Sequence, residues 1–280
     1  MYNLPTMASD APGRPAAHQP TIEFRLLGAY TIAVDGVLLP PLPTEKSRLL
    51  LASLLLHPAP QPRSRLAALA WPDLPEARAR RRLTQELWRI NSALDKAGAP
   101  PLLAAAGDAV GIDPAANVQC DVAQLRATLA RLQHAEAAAW PTLAELTALY
   151  RGELLPGHYD DWALLAREQI FQSFTAGLAR LLAEHKRRGD WEAAEQVVQT
   201  LCDHDPYTET WVMEAMRIAQ AQQRPALGRR HYEHFAALLR AEQGGAPSPE
   251  LTALAQQLAA APAPEAAAAL PIFMLFSMCR

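Results

Sequence analysis

The amino-acid sequence predicts a mainly α-helical protein with a small β component near its N-terminus. Two β-prone segments precede the turn dipeptide Asp35-Gly36, and a long amphipathic helical pattern follows further along the chain. From residue 121 to residue 258 the composition changes to helical segments rich in Ala and Leu, with almost no strand signal. We therefore expect two folded regions, an α/β domain at residues 21–115 and an all-helical domain at residues 120–258.

The α/β domain is expected to begin with a small antiparallel sheet. Residues 22–27 and 30–34 alternate between apolar and other residues, as half-buried strands do. Asp35-Gly36 stands directly before Val37 and is a strong signal for a tight turn, because both residue types tolerate positive φ. The chain should therefore fold back on itself at this dipeptide.

Two helices with recognisable start and stop signals are predicted after the sheet. Ser and Thr accept hydrogen bonds from the first backbone N–H groups of a helix, and proline ends one. The predictions are a Leu-rich helix over residues 45–57, capped by Thr44 and ended by Pro58, and a short helix over residues 65–71, capped by Ser64 and stopped by Pro72.

The third helix is predicted to be the longest of this domain. Asp73 is expected to cap it, Pro75 to stand in its first turn and Glu76 to complete a capping pattern. The helix should run to about Ala97 and end at Gly98.

A β-hairpin is predicted at the end of the domain. Residues 102–106 and 110–112 flank the turn residues Gly107 and Asp108. Strands, three helices and a terminal hairpin, in this order, are typical of a winged helix-turn-helix domain.

The second region is predicted to consist of helices alone. Trp191 lies 34 residues before Pro225, which is the spacing of tetratricopeptide (TPR) repeats. TPR-like helix pairs and an unrelated helical bundle both fit this pattern, and the spacing favours the first. The predicted helices lie near residues 121–136, 142–151, 161–188, 191–202, 208–222, 226–241 and 249–258.

The long third helix carries the candidate site. At about 100° per residue, one narrow apolar stripe must face the core, and the opposite face is basic and polar. The apolar stripe consists of Leu83, Leu87, Ile90 and Leu94. The opposite face holds the candidate base or groove contacts Arg78, Arg81, Arg82, Gln85, Arg89 and Ser92, together with Trp88.

These residue types suit the major groove of DNA. Guanidinium groups bind phosphate or guanine edges in pairs of hydrogen bonds, and Gln85 can do the same with adenine. A solvated basic helix face is the alternative, and it is common on proteins. The position of the helix, third in order and followed by a hairpin, favours DNA binding.

Four further cations are candidate contacts to the DNA backbone, because they stand at or before the starts of the first two helices. Each alone could equally be an ordinary surface charge. The four are Lys46, Arg48, Arg63 and Arg65.

The charge distribution differs between the two regions. Residues 20–113 contain 11 basic and 9 acidic residues, which leaves 15 basic and 20 acidic residues for the remainder. A weakly basic first region and an acidic second region suggest different partners for each.

Several classes of protein and site are disfavoured. The three cysteines are far apart, no HExxH motif occurs, and His204 lacks further metal ligands nearby, so we expect neither a metal site nor a cofactor nor an enzyme. The carboxylates Asp160 and Asp161 fit a helix start better than a catalytic pair. No GxxxxGK[ST] loop is present, so we expect no ATP hydrolysis.

The chain termini contain no sign of export or membrane insertion. Residues 1–20 are rich in Pro and Ala and are interpreted as a disordered leader rather than a secretory signal. Residues 259–280 form a low-complexity tail whose apolar end, residues 270–278, is too short to span a bilayer. That end could be a truncation or frameshift scar, a docking peptide or a weak interfacial anchor, and the first two are favoured. We expect a cytoplasmic protein.

An ordered set of short motifs resembles one family of bacterial regulators. These are FRLLG at residues 24–28, KSRLL at 46–50, WPD at 71–73 before Pro75-Glu76, LTQELWRINSAL at 83–94, Asp121-Val122, YRGELLPG at 150–157 and HDPY at 204–207. Together they are similar to SARP-type activators, in which an OmpR/PhoB-like winged helix precedes a bacterial transcriptional activator domain.

The resemblance implies a function as well as a fold. Members of this family bind direct repeats in promoters, often as dimers, and contact RNA polymerase through the winged helix. The helical domain supports dimerisation or regulation. The hairpin at residues 103–112 departs from the pattern, since it has no aromatic residue and little basic character.

Two functional hypotheses therefore remain after the sequence alone. The first is a sequence-specific DNA-binding regulator, expected to be an activator and a homodimer. The second is a TPR-like adaptor whose winged helix no longer binds DNA and serves only to dock proteins, which the nearly neutral first region would favour.

Overall fold

The computed structural model describes residues 19–134 and 139–260 of the chain. The predicted leader and tail therefore lie almost entirely outside the described residues. The chain divides into two compact units at the boundary between Phe174 and Thr175. In the described part of the chain, no helix has both the length and the apolar composition needed to cross a bilayer.

The first unit contains both sheets and the first helices. Its strands are β1 Ile22–Arg25, β2 Thr31–Val34, β3 Val37–Leu38, β4 Gln61–Pro62, β5 Leu103–Ala106, β6 Ala109–Ile112 and β7 Val118–Cys120. Its helices are α1 Glu45–Leu56, α2 Arg63–Ala70, α3 Glu76–Asp95, α4 Asp121–His134 and α5 Leu143–Leu149, followed by the first part of α6 Asp161–Arg188.

The N-terminal sheet has the strand order β3-β2-β1-β7. The turn between β2 and β3 is confirmed at Asp35 and Gly36, whose φ values of +48° and +78° suit a tight hairpin turn. Strand β7 pairs in parallel with β1, with Ile22 opposite Val118. The sequence did not predict β7, because three residues are too few to reveal an alternating pattern.

The second sheet has the strand order β4-β6-β5 and contains the predicted hairpin. Strands β5 and β6 pair in antiparallel register around Gly107 and Asp108. The two-residue strand β4, which was not predicted, pairs with β6 on the other side. The pairing joins the start of α2 to the hairpin, which is the wing of a winged helix.

The helix starts confirm one predicted cap and correct two others. Thr44 caps α1, with its side chain accepting a hydrogen bond from the N–H of Ser47. The Ser64 cap was wrong, because α2 begins at Arg63, two residues earlier than predicted, and Pro62 occupies the cap position. The Asp73 cap was also wrong, because Pro75 occupies the cap position and its carbonyl accepts the first helical hydrogen bonds.

The core of the winged helix lies between its three helices and its sheets. The apolar stripe predicted for α3 is completely buried at Leu83, Leu87, Ile90 and Leu94. Helix α2 packs against α3, and α1 contacts both. Each Å² of apolar surface that these side chains bury stabilises the fold by roughly 25 cal/mol, and this burial holds α3 in place.

Residues beyond the winged helix complete the first unit. The carboxylate of Asp121, at the start of α4, accepts hydrogen bonds from the backbone N–H groups of Leu26 and Leu27. Leu27 also forms a β-bridge with Leu154. The guanidinium of Arg167 donates to the carbonyls of Leu154, Leu155 and His158 and so holds this connecting segment in place.

The second unit is entirely helical within its described residues. After the end of α6 it contains α7 Trp191–His204, α8 Glu209–Ala221, α9 Pro225–Glu242 and α10 Pro249–Ala260. Each helix contacts the next, α7 with α8, α8 with α9 and α9 with α10, so the unit divides into the successive pairs α7–α8 and α9–α10. The two pairs begin 34 residues apart, at Trp191 and Pro225, as the predicted repeat requires.

Candidate nucleic-acid interface

Helix α3 presents one continuous basic and polar arc. Its 20 residues span about 30 Å. Counting about 100° per residue, the buried side is bounded by Glu86 and Leu87, and the predicted contact residues together with Trp88 fill an arc of about 120° on the other side. Around this arc lie, in angular order, Trp88, Arg81, Ser92, Gln85, Arg78, Arg89 and Arg82.

The exposure of these side chains agrees with that placement. Arg78, Arg81, Arg82 and Gln85 are exposed, whereas Arg89 and Ser92 are half-buried. Trp88 lies among them and is 44% exposed, which is high for the largest apolar side chain. Four guanidinium groups, one amide and one indole thus share a single helical surface.

A buried carboxylate orients α3 against α1. Glu86 is only 6% exposed and lies on the core side of the helix. Its Oε2 accepts hydrogen bonds from the hydroxyls of Thr44, at 2.6 Å, and Ser47, at 2.5 Å. Its Oε1 accepts one from Arg89 at 2.5 Å. Glu86 therefore ties the capped start of α1 to one edge of the basic arc.

The wing is fastened to the other edge of α3. The side-chain oxygen of Asn91 accepts hydrogen bonds from the N–H groups of Leu102 and Leu103, and its amide donates to the Leu103 carbonyl. These three bonds fix strand β5 beside the helix. A rigid helix with a wing held alongside it is the geometry that winged helices use on duplex DNA.

The tip of the wing contacts a cation that the sequence did not single out. Arg80 forms an ion pair with the Asp108 carboxylate at the hairpin turn and a second with Glu76. The hydrogen bond to Asp108 is the main cause that raises the pKa of Arg80. Arg80 could have been found from its position on α3, four residues after Glu76.

The four predicted phosphate contacts are distributed over two places. Arg63, the first residue of α2, lies beside α3, where its guanidinium donates to the Thr84 hydroxyl at 3.4 Å. Burial lowers the pKa of Arg63, while the nearby Asp108 raises it. Arg65 is exposed on the same helix.

The other two predicted phosphate contacts, Lys46 and Arg48, lie at the start of α1. Lys46 lies 4.0 Å from the carboxylate of Asp160. The Nε atom of Arg48 is buried and has no hydrogen-bond partner in the described part of the chain. The structure therefore places Arg63 beside α3 and leaves Arg65 exposed on α2, whereas Lys46 lies beside Asp160 and Arg48 is half-buried.

No cluster of three or more His, Cys, Asp or Glu side chains suited to a metal ion occurs among residues 19–134 and 139–260. His204 is partly buried, and this burial lowers the pKa of its imidazole.

Comparison with protein families matches residues 115–259 to the bacterial transcriptional activator domain. Among solved structures, the chain is similar to Mycobacterium tuberculosis EmbR in complex with a low-affinity phosphopeptide, with 23% sequence identity and a TM-score of 0.57. The likeness covers 86% of this chain and 65% of the EmbR chain. Comparison with curated protein sequences gives no match.

These findings confirm the fold class expected from the sequence. The likeness to EmbR extends over the winged helix as well as the helical region, and the family match alone covers more than half of the chain. The family is one of bacterial transcriptional activators. The chain therefore belongs to the family defined by the bacterial transcriptional activator domain, and it is a transcriptional regulator of the SARP kind.

Proposed function

We propose that this regulator binds duplex DNA in a sequence-specific manner, with α3 in the major groove. The observation that carries the proposal is the basic arc on α3, where exposed Arg78, Arg81 and Arg82 flank Gln85 on the side opposite the core. A helix of 10–12 Å diameter matches a groove about 12 Å wide.

Within this arc the side chains have different proposed roles. Gln85 lies near the middle and is suited to pair with an adenine edge, while Arg81 is suited to a guanine edge or a phosphate. Arg78, Arg82, Arg89 and Ser92 are proposed to contact the groove around them. Arg63 and Arg65 on α2 are proposed to bind phosphates next to α3, and Lys46 and Arg48 on α1 are two further candidates for phosphate contacts.

The remaining parts of the proposal come from the family. We infer that the protein binds direct repeats in promoters as a homodimer, contacts RNA polymerase and activates transcription. The helical domain would then support dimerisation or regulation. The adaptor hypothesis predicts instead that the winged helix has no affinity for any duplex.

The test is selection of bound sequences from a random duplex pool, using the full-length protein. The best site is then titrated at several salt concentrations. An enriched direct repeat with a steep decrease of affinity at higher salt is expected, because bound phosphates release counterions. Absence of enrichment with folded protein would reject DNA binding in favour of the adaptor.

Two sets of variants test the assignment to α3. The double variant Arg78→Ala/Arg81→Ala should weaken binding. It should also reduce the slope of the logarithm of the binding constant against the logarithm of the salt concentration by about one for each lost phosphate contact. Arg89 is left intact because it pairs with the buried Glu86. Arg229→Ala/Arg240→Ala, which removes two exposed arginines from α9, is the matched control and should bind as the wild type does. Equal loss in both variants would contradict the assignment.

Gln85→Ala tests sequence recognition separately. It should reduce discrimination at one base pair by about 1–3 kcal/mol without changing the salt dependence. A uniform loss across all sequences would contradict the role of Gln85 as a base contact.

A further inference from the structure

The wing tip places the Asp108 carboxylate against one cation, Arg80, which lies beside the basic arc of α3. Asp108 forms an ion pair with Arg80 of α3, and its own backbone carbonyl accepts a hydrogen bond from the Arg63 N–H at 3.0 Å. The Asp108 side chain is 65% exposed and the Arg80 side chain is 35% exposed, so this contact lies at the protein surface.

Several elements hold Asp108 in this position. Strand β4 pairs with β6 immediately beside the turn, with Pro62 opposite Ala109, and α2 begins at the next residue. Asn91 fixes the opposite strand of the wing to α3. The turn contains only Gly107 and Asp108, so the paired strands hold the Asp108 backbone at the wing tip beside Arg80.

The contact has an electrostatic consequence for DNA binding. A phosphate that approaches Arg80 must compete with a carboxylate that is already paired, and the same negative charge repels the phosphate. The charges of Asp108 and Arg80 also act on the guanidinium of Arg63, because Asp108 raises its pKa and Arg80 lowers it. The cations nearest the wing are therefore partly neutralised before DNA arrives.

We propose that Asp108 is an autoinhibitory residue that limits the affinity of the winged helix for DNA by occupying Arg80. The inference rests on the proposed function. In the free protein, the ion pair withholds Arg80 from the DNA backbone. Loss of the carboxylate releases Arg80 to contact one additional phosphate.

The test is Asp108→Asn in the full-length protein, titrated with the selected duplex at several salt concentrations. Asparagine suits a tight hairpin turn, so the wing should keep its fold. We expect the affinity for DNA at low salt to increase about fivefold. The slope of the logarithm of the binding constant against the logarithm of the salt concentration should become steeper by about one, which corresponds to one additional phosphate contact.

Two controls separate this contact from a general change of charge. Asp95→Asn removes the same charge from the exposed end of α3 and should leave affinity near that of the wild type. Arg80→Ala/Asp108→Asn should lose the gain, because the released cation is then absent. Equal affinities of the Asp95 and Asp108 variants, or weaker binding by Asp108→Asn, would overturn the inference while leaving DNA binding intact. Absence of binding by the wild type would reject the proposed function and this inference with it.

Discussion

The carboxylate of Asp121 accepts a hydrogen bond of 2.9 Å from the backbone N–H of Leu26, although the two residues are 95 positions apart in the chain. The same carboxylate accepts bonds from the N–H groups of Leu27 and Val122. Burial is the largest influence on Asp121 and raises the pKa of its carboxyl group, while these hydrogen bonds lower it. One side chain thus joins the first strand of the winged helix to the first helix after it.

Removal of this carboxylate should destabilise the first unit. Asp121→Ala leaves the N–H groups of Leu26 and Leu27 without their acceptor, so we expect a loss of about 3 kcal/mol in the free energy of unfolding. Urea denaturation followed by circular dichroism measures it. Asp113→Ala, in which the lost carboxylate accepts from the exposed Ala115 N–H, is the control and should cost far less. Similar losses would contradict a special role for Asp121.

The contact between α1 and α3 should show strong coupling in a double-mutant cycle. Glu86→Ala is expected to cost about 2 kcal/mol, because the Ser47 and Thr44 hydroxyls lose a buried acceptor. Ser47→Ala should cost about 1 kcal/mol. The double variant should cost clearly less than the sum, since the two residues share one bond. Additive losses would show that the bond contributes nothing.

Much of the helical structure could be predicted from local patterns. The predicted bounds of α6, residues 161–188, agree with the structure because its acidic start and Gly189 are local signals. The buried side of α3 followed from its apolar spacing alone. In contrast, β4 and β7 exist only because distant strands pair with them. Pro62 and Pro75, rather than nearby polar residues, precede α2 and α3.

The composition of the candidate site could be predicted better than its electrostatics. Side chains on one helix face follow from helical geometry, which is local. The pairing of Lys46 with Asp160 and of Arg80 with Asp108 depends on tertiary contacts that no spacing encodes. Glu86 gave one usable signal, since a carboxylate at the margin of an apolar stripe requires buried partners.

The two described cysteines should react slowly in the folded protein. Burial raises the pKa of Cys120 to about 11 and that of Cys202 to about 12. At pH 8 only about one thousandth of Cys120 would be thiolate, which is the reactive form. In a Cys279→Ser variant, a thiol reagent should label neither residue quickly until urea is added. Rapid labelling of the folded protein would contradict this prediction.

The end of α6 should be sensitive to acid through Glu184. Hydrogen bonds from Arg187 and then Arg188 oppose burial and lower the pKa of Glu184 to about 2. A depressed carboxyl pKa stabilises the folded state above the ordinary value, and this contribution is lost as the pH falls from about 4.5 towards 2. Glu184→Gln should therefore lower Tm at pH 7 but have little effect near pH 2. A difference in Tm that is independent of pH would exclude this ion-pair explanation.

The second unit should not tolerate a larger side chain at position 228. A Cβ atom at Gly228 of α9 would lie only 2.6 Å from Cδ1 of Leu258, which is completely buried in α10. Gly228→Val should therefore cost about 2 kcal/mol through overpacking. Leu258→Ala should cost about 3 kcal/mol.

The double variant Gly228→Val/Leu258→Ala decides whether these two effects share one cause. If the two side chains compete for the same space, the added methyl groups occupy part of the cavity, and the double variant is more stable than the sum of the single losses predicts. Additivity would place the cause of the Gly228→Val effect elsewhere in α9.

The parallel pairing of β1 with β7 also determines when the winged helix can form during synthesis. Strand β1 leaves the ribosome well before its partner, since Ile22 pairs with Val118 and Leu26 with Asp121. At bacterial elongation rates, translation of those 95 residues takes roughly 5–20 s. Throughout that interval one edge of β1 has no strand to bond. A nascent chain that stops after the wing would therefore present an open sheet edge. The winged helix can complete its N-terminal sheet only after the residues at the start of the helical domain have been synthesised.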